Sequence, residues 1–534
     1  MSDLEKRPAD THLEKVATNH PAELLKSRYD NLSIPKTLVL FKRSVFFVLM
    51  LYTGYMCEGF ELGAGGSIIA NKGFIKQFSS NHGNDGDVRK LNPTWVATWA
   101  AMLNVGQILV FTHIGWVADR FGRKIAFYMA WVWLMVGCAF FNTAKTPAVW
   151  ALAKLCNGAG VGVLQICAQV YVMEIVPNRI RGGLITFQAV WSTIGGIIVS
   201  VMMQQLNKKH PENYMLPMRI LWAPIGLIII CWAILPESPW YYARQGNKEK
   251  ALKAMKQLYG GIEGYDFEEE YGIIERTIEH EREINKGAPT YRDVFRGVNL
   301  KRTLSVAMLS ACQQLAGLAI IRTYSTCEAL IISYVYVAVP TLTFSCVNLL
   351  AVTLWSLSTD KLGRRVFVTW GQTFCCVVLF LVGALYYAGA TKGNAAAGTG
   401  LLVVCCFWTF TFQIIIMSYY LYSAELPSAL LRVKTGPFTF LVNSILGIAT
   451  CYATPPMLLK LNIRAGFIYG AFSVPLCILM WYYLPETKGR SAAEIDELYE
   501  RKIPAWRWSK TVTEAETHLR EVSQGQVVHG KQDA

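Results

Sequence analysis

Stretches of about 20 residues with few or no charges recur along this chain, and they constrain its fold more than any other feature. About 20 apolar residues make a helix that crosses a bilayer, and twelve such stretches are present, at residues 44–70, 93–117, 125–144, 147–173, 183–206, 220–235, 303–327, 329–358, 366–391, 399–424, 436–459 and 465–484. Only 16% of the residues are charged, too few to cover a water-facing surface. The sequence therefore predicts an all-α polytopic membrane protein with twelve transmembrane helices.

The position of the longest polar segment divides the chain into two halves. We predict a tail, a six-helix bundle, a central loop with short amphipathic helices, a second six-helix bundle and a second tail, at residues 1–43, 44–235, 236–302, 303–484 and 485–534. An even number of spans puts both tails and the central loop on one side of the membrane. The short connections on that side are rich in Lys and Arg, which predicts that both termini are cytoplasmic. We expect a multi-pass protein of the cell membrane.

The net charge of +14 does not indicate nucleic-acid binding. The Lys and Arg residues stand at the ends of the apolar runs, where they set membrane topology. The ATP-binding pattern G-x-x-x-x-G-K-[ST] does not occur in the sequence, and no nucleophile–base–orienter set is recognisable. All fourteen Cys lie inside apolar runs. We therefore expect no enzyme activity, no metal, no cofactor and no ATP, and the expected partners are a small solute and the bilayer.

Two short motifs occur once in each half of the chain. D-R-F-G-R-K at residues 119–124 follows the second span, and D-K-L-G-R-R at residues 360–365 follows the eighth. Glu174 and Arg181 stand seven residues apart after the fourth span, as Glu425 and Arg432 do after the tenth. The paired spans are six apart, so the sequence predicts a parallel duplication of a six-helix unit.

These motifs resemble those of the sugar porter family in the major facilitator superfamily. Further marks are P-E-S-P at 236–239, Q-Q-L-A-G at 313–317 and P-E-T-K-G-R at 485–490. E-G-F-E at 58–61, Y-R-D-V-F-R-G-V-N-L-K-R-T at 291–303 and E-L-P-S at 425–428 are similar to the fungal α-glucoside (maltose permease-like) branch. The resemblance implies two six-helix bundles around a central cavity, working by alternating access.

The resemblance also implies roles for individual residues. The paired motifs would form gates, in which Arg120, Arg123 and Lys124 can pair with Glu174; the implied gating residues are Asp119, Arg120, Arg123, Glu174, Arg181, Asp360, Arg364, Arg365, Glu425 and Arg432. A neutral sugar needs amides, hydroxyls and an aromatic face. The implied sugar-binding residues are Gln313, Gln314, Asn348, Tyr420, Asn443 and Gln188.

Several positions depart from the family pattern. The family's polar residue in the fifth span falls at Ala189, one residue after Gln188, and one residue rotates a helical side chain by about 100°. The Asn expected in the seventh span is Ala319, and the Arg of glucoside symporters in the eleventh span is Phe440. The Gly-Pro pair expected before Tyr420 is Ile416-Met417. These changes are compatible with a ligand that is less polar than maltose, as well as with maltose itself.

Four charged residues, Glu58, Glu61, Lys154 and Arg322, stand inside predicted spans. A charge inside the bilayer is costly unless it faces a partner or water. In the resemblance to sugar symporters, Glu61 stands at the position of the family's proton-binding carboxylate, and Lys154 stands at the position of an Arg. At 1.5 Å per residue, Glu61, Lys154 and Arg322 all lie in the outer third of their spans. We expect Glu61 to couple transport to protons while Lys154 holds it, with Arg322 joining when the outer gate shuts; a structural ion pair is the alternative.

These observations favour a secondary active transporter of a sugar or sugar-like solute, of the α-glucoside or hexose class, coupled to protons. Two alternatives stay open. One is a major facilitator transporter of a non-sugar molecule, such as a secondary metabolite or a carboxylated solute, because a fold does not determine its substrate. The other is a non-transporting sugar sensor, although sensors of this fold usually carry a longer cytoplasmic tail.

Overall fold

The structure is a computed structural model that describes most of the chain. The described residues are 29, 32–69, 71–79, 91–284, 294–318, 320–321, 338–388, 395–427, 432–488, 490 and 492–513. The side chains of a few residues inside helices, Asp360 and Arg432 among them, lie outside this description. Every regular element in the described residues is a helix, as the apolar runs predicted.

The first half of the chain contains six long helices: α1 (Lys42–Ile69), α2 (Pro93–Phe111), α3 (Arg123–Thr143), α4 (Pro147–Ile175), α5 (Asn178–Lys209) and α6 (Trp222–Ile234). Helix α4 packs on α2 and α3, while α1 packs on α5 and α6. Local sequence explains where α2 begins. The Asn92 side chain accepts the backbone N–H of Thr94, and Pro93 supplies a preset φ at the first helical position.

The second half repeats this pattern with six helices: α7 (Gly297–Leu315), α8 (Ala338–Leu362), α9 (Arg365–Leu385), α10 (Ala395–Glu425), α11 (Arg432–Leu461) and α12 (Ala465–Tyr483). Helix α9 packs on α10 and α12, and α7 packs on α11 and α12. The two halves meet where α2 packs on α11 and where α5 packs on α8. Those two contacts leave a space between the halves, and the candidate site lies in it.

Two predicted spans differ from the helices observed. The second span ends early, at Phe111, and a separate helix (Ile114–Phe121) follows, with Ile114 buried and Arg120 exposed. This short helix therefore follows the surface of the bundle. The sixth span is interrupted at Leu221, because Pro224 has no N–H to continue the preceding Met215–Ile220 helix.

Ten helices in the described residues are long and apolar enough to cross a membrane, and Leu342–Ser358 is a shorter apolar helix. Residues 322–337 lie outside the described residues, so the predicted ends of spans seven and eight are not tested there.

Glycines allow the closest helix contacts in the first half. A Cβ on Gly59 of α1 would lie 1.6 Å from the carbonyl oxygen of Ser192 on α5. A Cβ on Gly158 of α4 would lie 2.0 Å from the carbonyl oxygen of Leu103 on α2. Gly158 belongs to a G-A-G-V-G run that resembles a dinucleotide motif, but here it lies inside a buried helix and permits close packing.

The central segment forms short helices, as predicted: Pro239–Arg244, Lys248–Tyr259 and Phe267–Ile284. The buried residues of the second helix recur on one face, at Ala251, Ala254, Met255 and Leu258. The Tyr259 hydroxyl donates to the carbonyl oxygen of Ile175 at the end of α4, 3.1 Å away. The segment therefore packs on the end of the bundle that carries the repeated motifs, which we call the motif end.

Candidate functional site

A cavity of about 630 Å³ lies between the two halves. Its lining comes from α1, α2, α4 and α5 of the first half and from α7, α8, α10 and α11 of the second. The lining extends from Tyr55, near the middle of α1, to Phe74, beyond the end of that helix, and it includes no residue of the repeated motifs. The cavity therefore extends away from the motif end. Its volume is within the range of about 300–1,000 Å³ that holds drug-sized ligands.

Three amide side chains form one hydrogen-bonded chain in this cavity. Asn443 of α11 lies between the two glutamines at the end of α7: its Oδ1 accepts from Gln314 Nε2, and its Nδ2 donates to Gln313 Oε1, each at 2.5 Å. These bonds do not use the Nε2 donor of Gln313 or the Oε1 acceptor of Gln314. One donor and one acceptor are the groups that a sugar hydroxyl needs, because a hydroxyl both donates and accepts.

The other predicted solute contacts also line the cavity. Gln188 is 3% exposed and lines it from α5, although Ala189 lines it too, so the one-residue offset does not turn Gln188 away. Asn348 lines it from α8, and its buried Oδ1 has no hydrogen-bond partner among the described residues. Tyr420 contributes an aromatic face from α10, with its ring centroid 5.8 Å from that of Phe440.

The predicted pair of intramembrane charges is present, and it lines the cavity. Lys154 Nζ of α4 lies 2.9 Å from Glu61 Oε1 of α1. Both side chains are buried, with exposed fractions of 10% and 4%, and the ammonium also lies 5.4 Å from the centre of the Phe141 ring. In a low-dielectric site, a charge that is not compensated by a partner is strongly destabilising, so each member of this pair depends on the other. Arg322, the predicted third member, lies outside the described residues.

Glu58 takes part in a polar chain that crosses from the first half to the second. Gln165 Nε2 donates to Glu58 Oε1 at 3.1 Å, and Gln107 Nε2 lies 3.5 Å from Gln165 Oε1. Ser444 of α11 donates to Gln107 Oε1 at 3.1 Å. Sequence reasoning missed Gln107, Gln165 and Ser444. The available signal was an uncharged polar residue inside an apolar span, which is a frequent sign of a helix–helix contact.

The first-half motif forms an ionic network at the motif end. Arg123 Nη2 lies 2.9 Å from Glu174 and 3.2 Å from Asp119. Arg244, on the short helix after P-E-S-P, lies 3.8 Å from both carboxylates. Sequence reasoning did not include Arg244, because the short central helix that carries it is distant in the chain. The network ties α3, α4 and the central segment together.

The second half repeats this network. Arg364 pairs with Glu425, and its Nη1 also donates to the Thr487 hydroxyl oxygen at 3.1 Å. Arg365 donates instead to the carbonyl oxygen of Trp481 at 2.7 Å. The internal duplication predicted from the motifs is thus visible in the contacts they make.

The glutamates of P-E-S-P and P-E-T-K cap helices, a role that sequence reasoning did not predict. Glu237 accepts the backbone N–H groups of Arg123 and Lys124, each at 3.0 Å, at the first turn of α3. Glu486 accepts those of Arg364 and Arg365, each at 3.0 Å, at the start of α9. A carboxylate is stabilised at a helix N-terminus. Burial nevertheless raises the pKa of the Glu237 carboxyl, and the N–H donors oppose that rise.

Arg120 and Lys124, two other predicted gating residues, make contacts other than the predicted one with Glu174. The Arg120 guanidinium lies 5.4 Å from the centre of the Trp116 ring, and Lys124 Nζ donates to the carbonyl oxygen of Ala233 at 2.8 Å. The expectation that Arg120 and Lys124 pair with Glu174 is therefore wrong. Their side chains point in other directions than that of Arg123. Arg181 donates to the carbonyl oxygen of Val176 at 3.2 Å. The side chains of Asp360 and Arg432 lie outside the described part of the chain.

Comparison with known sequences identifies a family. The family model described as "Sugar (and other) transporter" matches residues 47–499. The "MFS transporter fmqE" of Aspergillus fumigatus is 26% identical over 462 residues, which are 83% of each chain. The "General alpha-glucoside permease" of Saccharomyces cerevisiae is 23% identical over 523 residues, 94% of this chain and 82% of that one. "Maltose permease MAL61" of Saccharomyces cerevisiae is 25% identical over 500 residues, 89% of this chain and 78% of that one.

Comparison with solved structures identifies the fold. The major facilitator proton:xylose symporter XylE, bound to 6-bromo-6-deoxy-D-glucose, matches with a TM-score of 0.68 at 19% identity, over 85% of this chain and 100% of that one. An inward-open structure of XylE from E. coli matches with a TM-score of 0.65 at 19% identity, over 85% of this chain and 99% of that one. The predicted fold, that of the major facilitator superfamily, is confirmed.

Proposed function

We propose that this chain, which belongs to the sugar (and other) transporter family, carries a neutral polyhydroxylated solute across a membrane by alternating access and couples this movement to protons. The observation that carries the proposal is the chain of three amides, Gln313, Asn443 and Gln314, in a cavity between the two halves. Two relatives are named for the permeation of α-glucosides and maltose, which supports a sugar of the α-glucoside or hexose class.

The amides suit a neutral solute because they offer both donors and acceptors and carry no charge. Asn348 adds a buried acceptor without a partner among the described residues. An unsatisfied buried acceptor costs about 1–3 kcal/mol, and a hydroxyl of the solute would remove that cost. Tyr420 would stack on the apolar face of a sugar ring.

Proton coupling would depend on the Glu61–Lys154 pair. The pair lines the same cavity as the amides, so protonation of Glu61 would break the ion pair beside the bound solute. Losing that pair would free α1 from α4, and the solute and the proton would then move together. Glu58 is a second carboxylate in the cavity, held by Gln165.

The repeated networks would act as the gate at the motif end. Both are formed in this structure, while the cavity extends toward the opposite end. Opening the cavity at the motif end would require both networks to break. We propose that the protein lies in the cell membrane, with the motif end and both tails in the cytoplasm. We also propose that the two bundles span residues 44–235 and 303–484.

A second candidate function is transport of a less polar, non-sugar metabolite. Ala189, Ile416, Met417 and Phe440 line the cavity with apolar groups, and one relative is named only as an MFS transporter. This candidate predicts that the solute depends on these apolar groups more than on Asn443.

Uptake into liposomes that contain the purified protein tests both candidates. Labelled glucose, maltose and quinate are supplied under an inward proton gradient, and we expect one of the two sugars to accumulate. Asn443→Ala should abolish this accumulation. Gln372→Leu is the matched control, because Gln372 is a fully buried amide that does not line the cavity and has no hydrogen-bond partner among the described residues. Uptake of quinate without either sugar would contradict the sugar proposal and favour the second candidate.

A further inference from the structure

A short basic segment lies beyond the last transmembrane helix. Residues 501–510, R-K-I-P-A-W-R-W-S-K, contain four Lys or Arg, two Trp and no acidic residue, and we call them the basic segment. Basic clusters close to the end of a transmembrane helix attract anionic lipid headgroups, and Trp is enriched at the same depth in a membrane. The composition therefore favours a segment that lies at the bilayer surface.

The basic segment folds back on the end of α12. Trp506 lies in a short 3₁₀ helix, Ala505–Lys510, and its ring meets that of Tyr482 edge to face, with the centroids 5.8 Å apart. Tyr482 and Tyr483 are the last residues of α12, and both are more than half exposed. Exposed tyrosines at the end of a transmembrane helix mark the level of the headgroups. Trp506, which is 47% exposed, therefore lies at that level too.

The two tryptophans of the segment face different sides. Trp508 is 1% exposed, and its ring centroid lies 4.8 Å from that of Tyr499 on the preceding helix, Ala492–Glu500. Trp506 and Arg507 are exposed. With three residues per turn in a 3₁₀ helix, residues two positions apart point in different directions. The segment thus has one side that packs on the protein and one side that is open.

Hydrogen bonds hold the segment in this orientation. Arg490 Nη2 donates to the carbonyl oxygens of Trp508 and Thr511, at 2.6 and 2.8 Å. Trp508 Nε1 donates to the carbonyl oxygen of Ile503 at 2.9 Å. The open side is therefore formed before a partner binds, which reduces the entropy cost of binding.

Two basic residues give the segment its charge. Arg501 is paired with Glu497, 2.7 Å away. Lys502 and Arg507 are exposed, and neither forms an ion pair with an acidic residue in the described part of the chain. A partner with a negative charge would compensate both, and a guanidinium is suited to a phosphate because it can donate two parallel hydrogen bonds.

We propose that the open side of the basic segment, with Trp506, Arg507 and Lys502, is a docking surface for the headgroup of an anionic phospholipid. The two cations bind the lipid phosphate, and the Trp506 ring lies at the boundary between headgroups and acyl chains. This inference does not depend on which solute is transported. Arg490, which holds the segment, belongs to the same P-E-T-K-G-R motif as Thr487, a contact of Arg364. The docking surface is thus joined to the ionic network of the second half.

Quenching of Trp506 fluorescence by brominated lipids tests the proposal. The protein has sixteen Trp, so the difference between wild type and Trp506→Phe isolates the signal of this one residue. Liposomes contain brominated phosphatidylserine or brominated phosphatidylcholine at equal mole fractions. Each basic residue near an anionic surface contributes roughly fivefold in affinity, so we expect the site to prefer phosphatidylserine by about 25-fold.

The double variant Lys502→Asn/Arg507→Gln should reduce this preference to about one. It should fold normally, because Arg507 is exposed and Lys502 has a φ of 52°, a left-handed conformation that Asn adopts more readily than Lys. Lys253→Gln/Lys256→Gln is the matched control. It removes the same charge from exposed positions of the central helix Lys248–Tyr259, and it should keep the preference.

Three results would overturn the proposal. If neither lipid quenches Trp506, the segment does not touch the bilayer, and its open side is left to a soluble acidic partner. If both lipids quench wild-type protein equally, the segment is an interfacial anchor without a headgroup site. If the control variant loses the preference as well, the preference comes from overall charge. Solute uptake is measured separately, so none of these results bears on the proposed transport function.

Discussion

Breaking the buried ion pair between Lys154 and Glu61 should destabilise the protein strongly, and replacing both residues should not. The two side chains are 10% and 4% exposed and their charged atoms lie 2.9 Å apart. Removing one partner of such a pair leaves an uncompensated buried charge, which costs about 3–5 kcal/mol. We therefore expect a loss of that size for Lys154→Met and for Glu61→Leu. The double variant replaces the pair with apolar groups of similar volume and should recover most of the loss.

Equilibrium unfolding in mixed detergent micelles would measure these free energies, and the four proteins form a double-mutant cycle. Lys248→Met is the control for loss of an ion pair at the surface. Its partner Glu268 is only 2.6 Å away, but the two side chains are 55% and 64% exposed. Exposed pairs of this kind contribute little, so we expect no resolvable change in unfolding.

The cycle also separates a structural pair from a coupling pair. The double variant should be folded yet fail to accumulate solute against a gradient, because no group remains in the pair to take up a proton. Two results would refute the reasoning on stability: single variants no less stable than Lys248→Met, or a double variant as unstable as the sum of the two single variants. A double variant that still concentrates solute would show that the pair has only a structural role.

Three further predictions concern packing, gating and binding. Gly59→Ala should lower the free energy of unfolding by about 1–3 kcal/mol, because the added Cβ would lie 1.6 Å from a backbone oxygen of α5. The control is Gly226→Ala, whose added Cβ would have no atom within 4 Å and should leave the free energy of unfolding unchanged. Equal stabilities of the two variants would contradict the close contact at Gly59. Arg123→Ala should abolish transport at equal amounts of inserted protein, because Arg123 contacts both Glu174 and Asp119. Arg120→Ala should retain transport, because the Arg120 guanidinium lies against the Trp116 ring instead. Equal rates in the two variants would remove the gating role. Gln313→Ala should raise KM for the transported sugar by about tenfold, from one lost hydrogen bond and one stranded partner, and an unchanged KM would place the solute elsewhere in the cavity.

Much of the architecture follows from local properties of the sequence. A run of about 20 apolar residues can bury its backbone in lipid only as a helix, so the positions of the spans could be predicted. In the described part of the chain, most of the predicted ends lie within a few residues of the observed ones, although the second span ends early, at Phe111. The pairing of Lys154 with Glu61 could also be predicted, because two costly charges at the same depth in the membrane have few other partners. The repeated motifs predicted the duplication for a different reason: each half contains its own copy.

The contacts that complete the site were decided by the tertiary structure. Gln107 meets Ser444 only because α2 packs on α11, and those two residues lie 337 positions apart in the chain. Arg244 reaches Glu174 only because the central helix folds back on the motif end. The sequence predicted that Arg120 pairs with Glu174, and it left open whether the Gln188 side chain faces the cavity. Both outcomes depend on the rotation of a helix about its axis. One residue of rotation is about 100°, and only packing against neighbouring helices sets it.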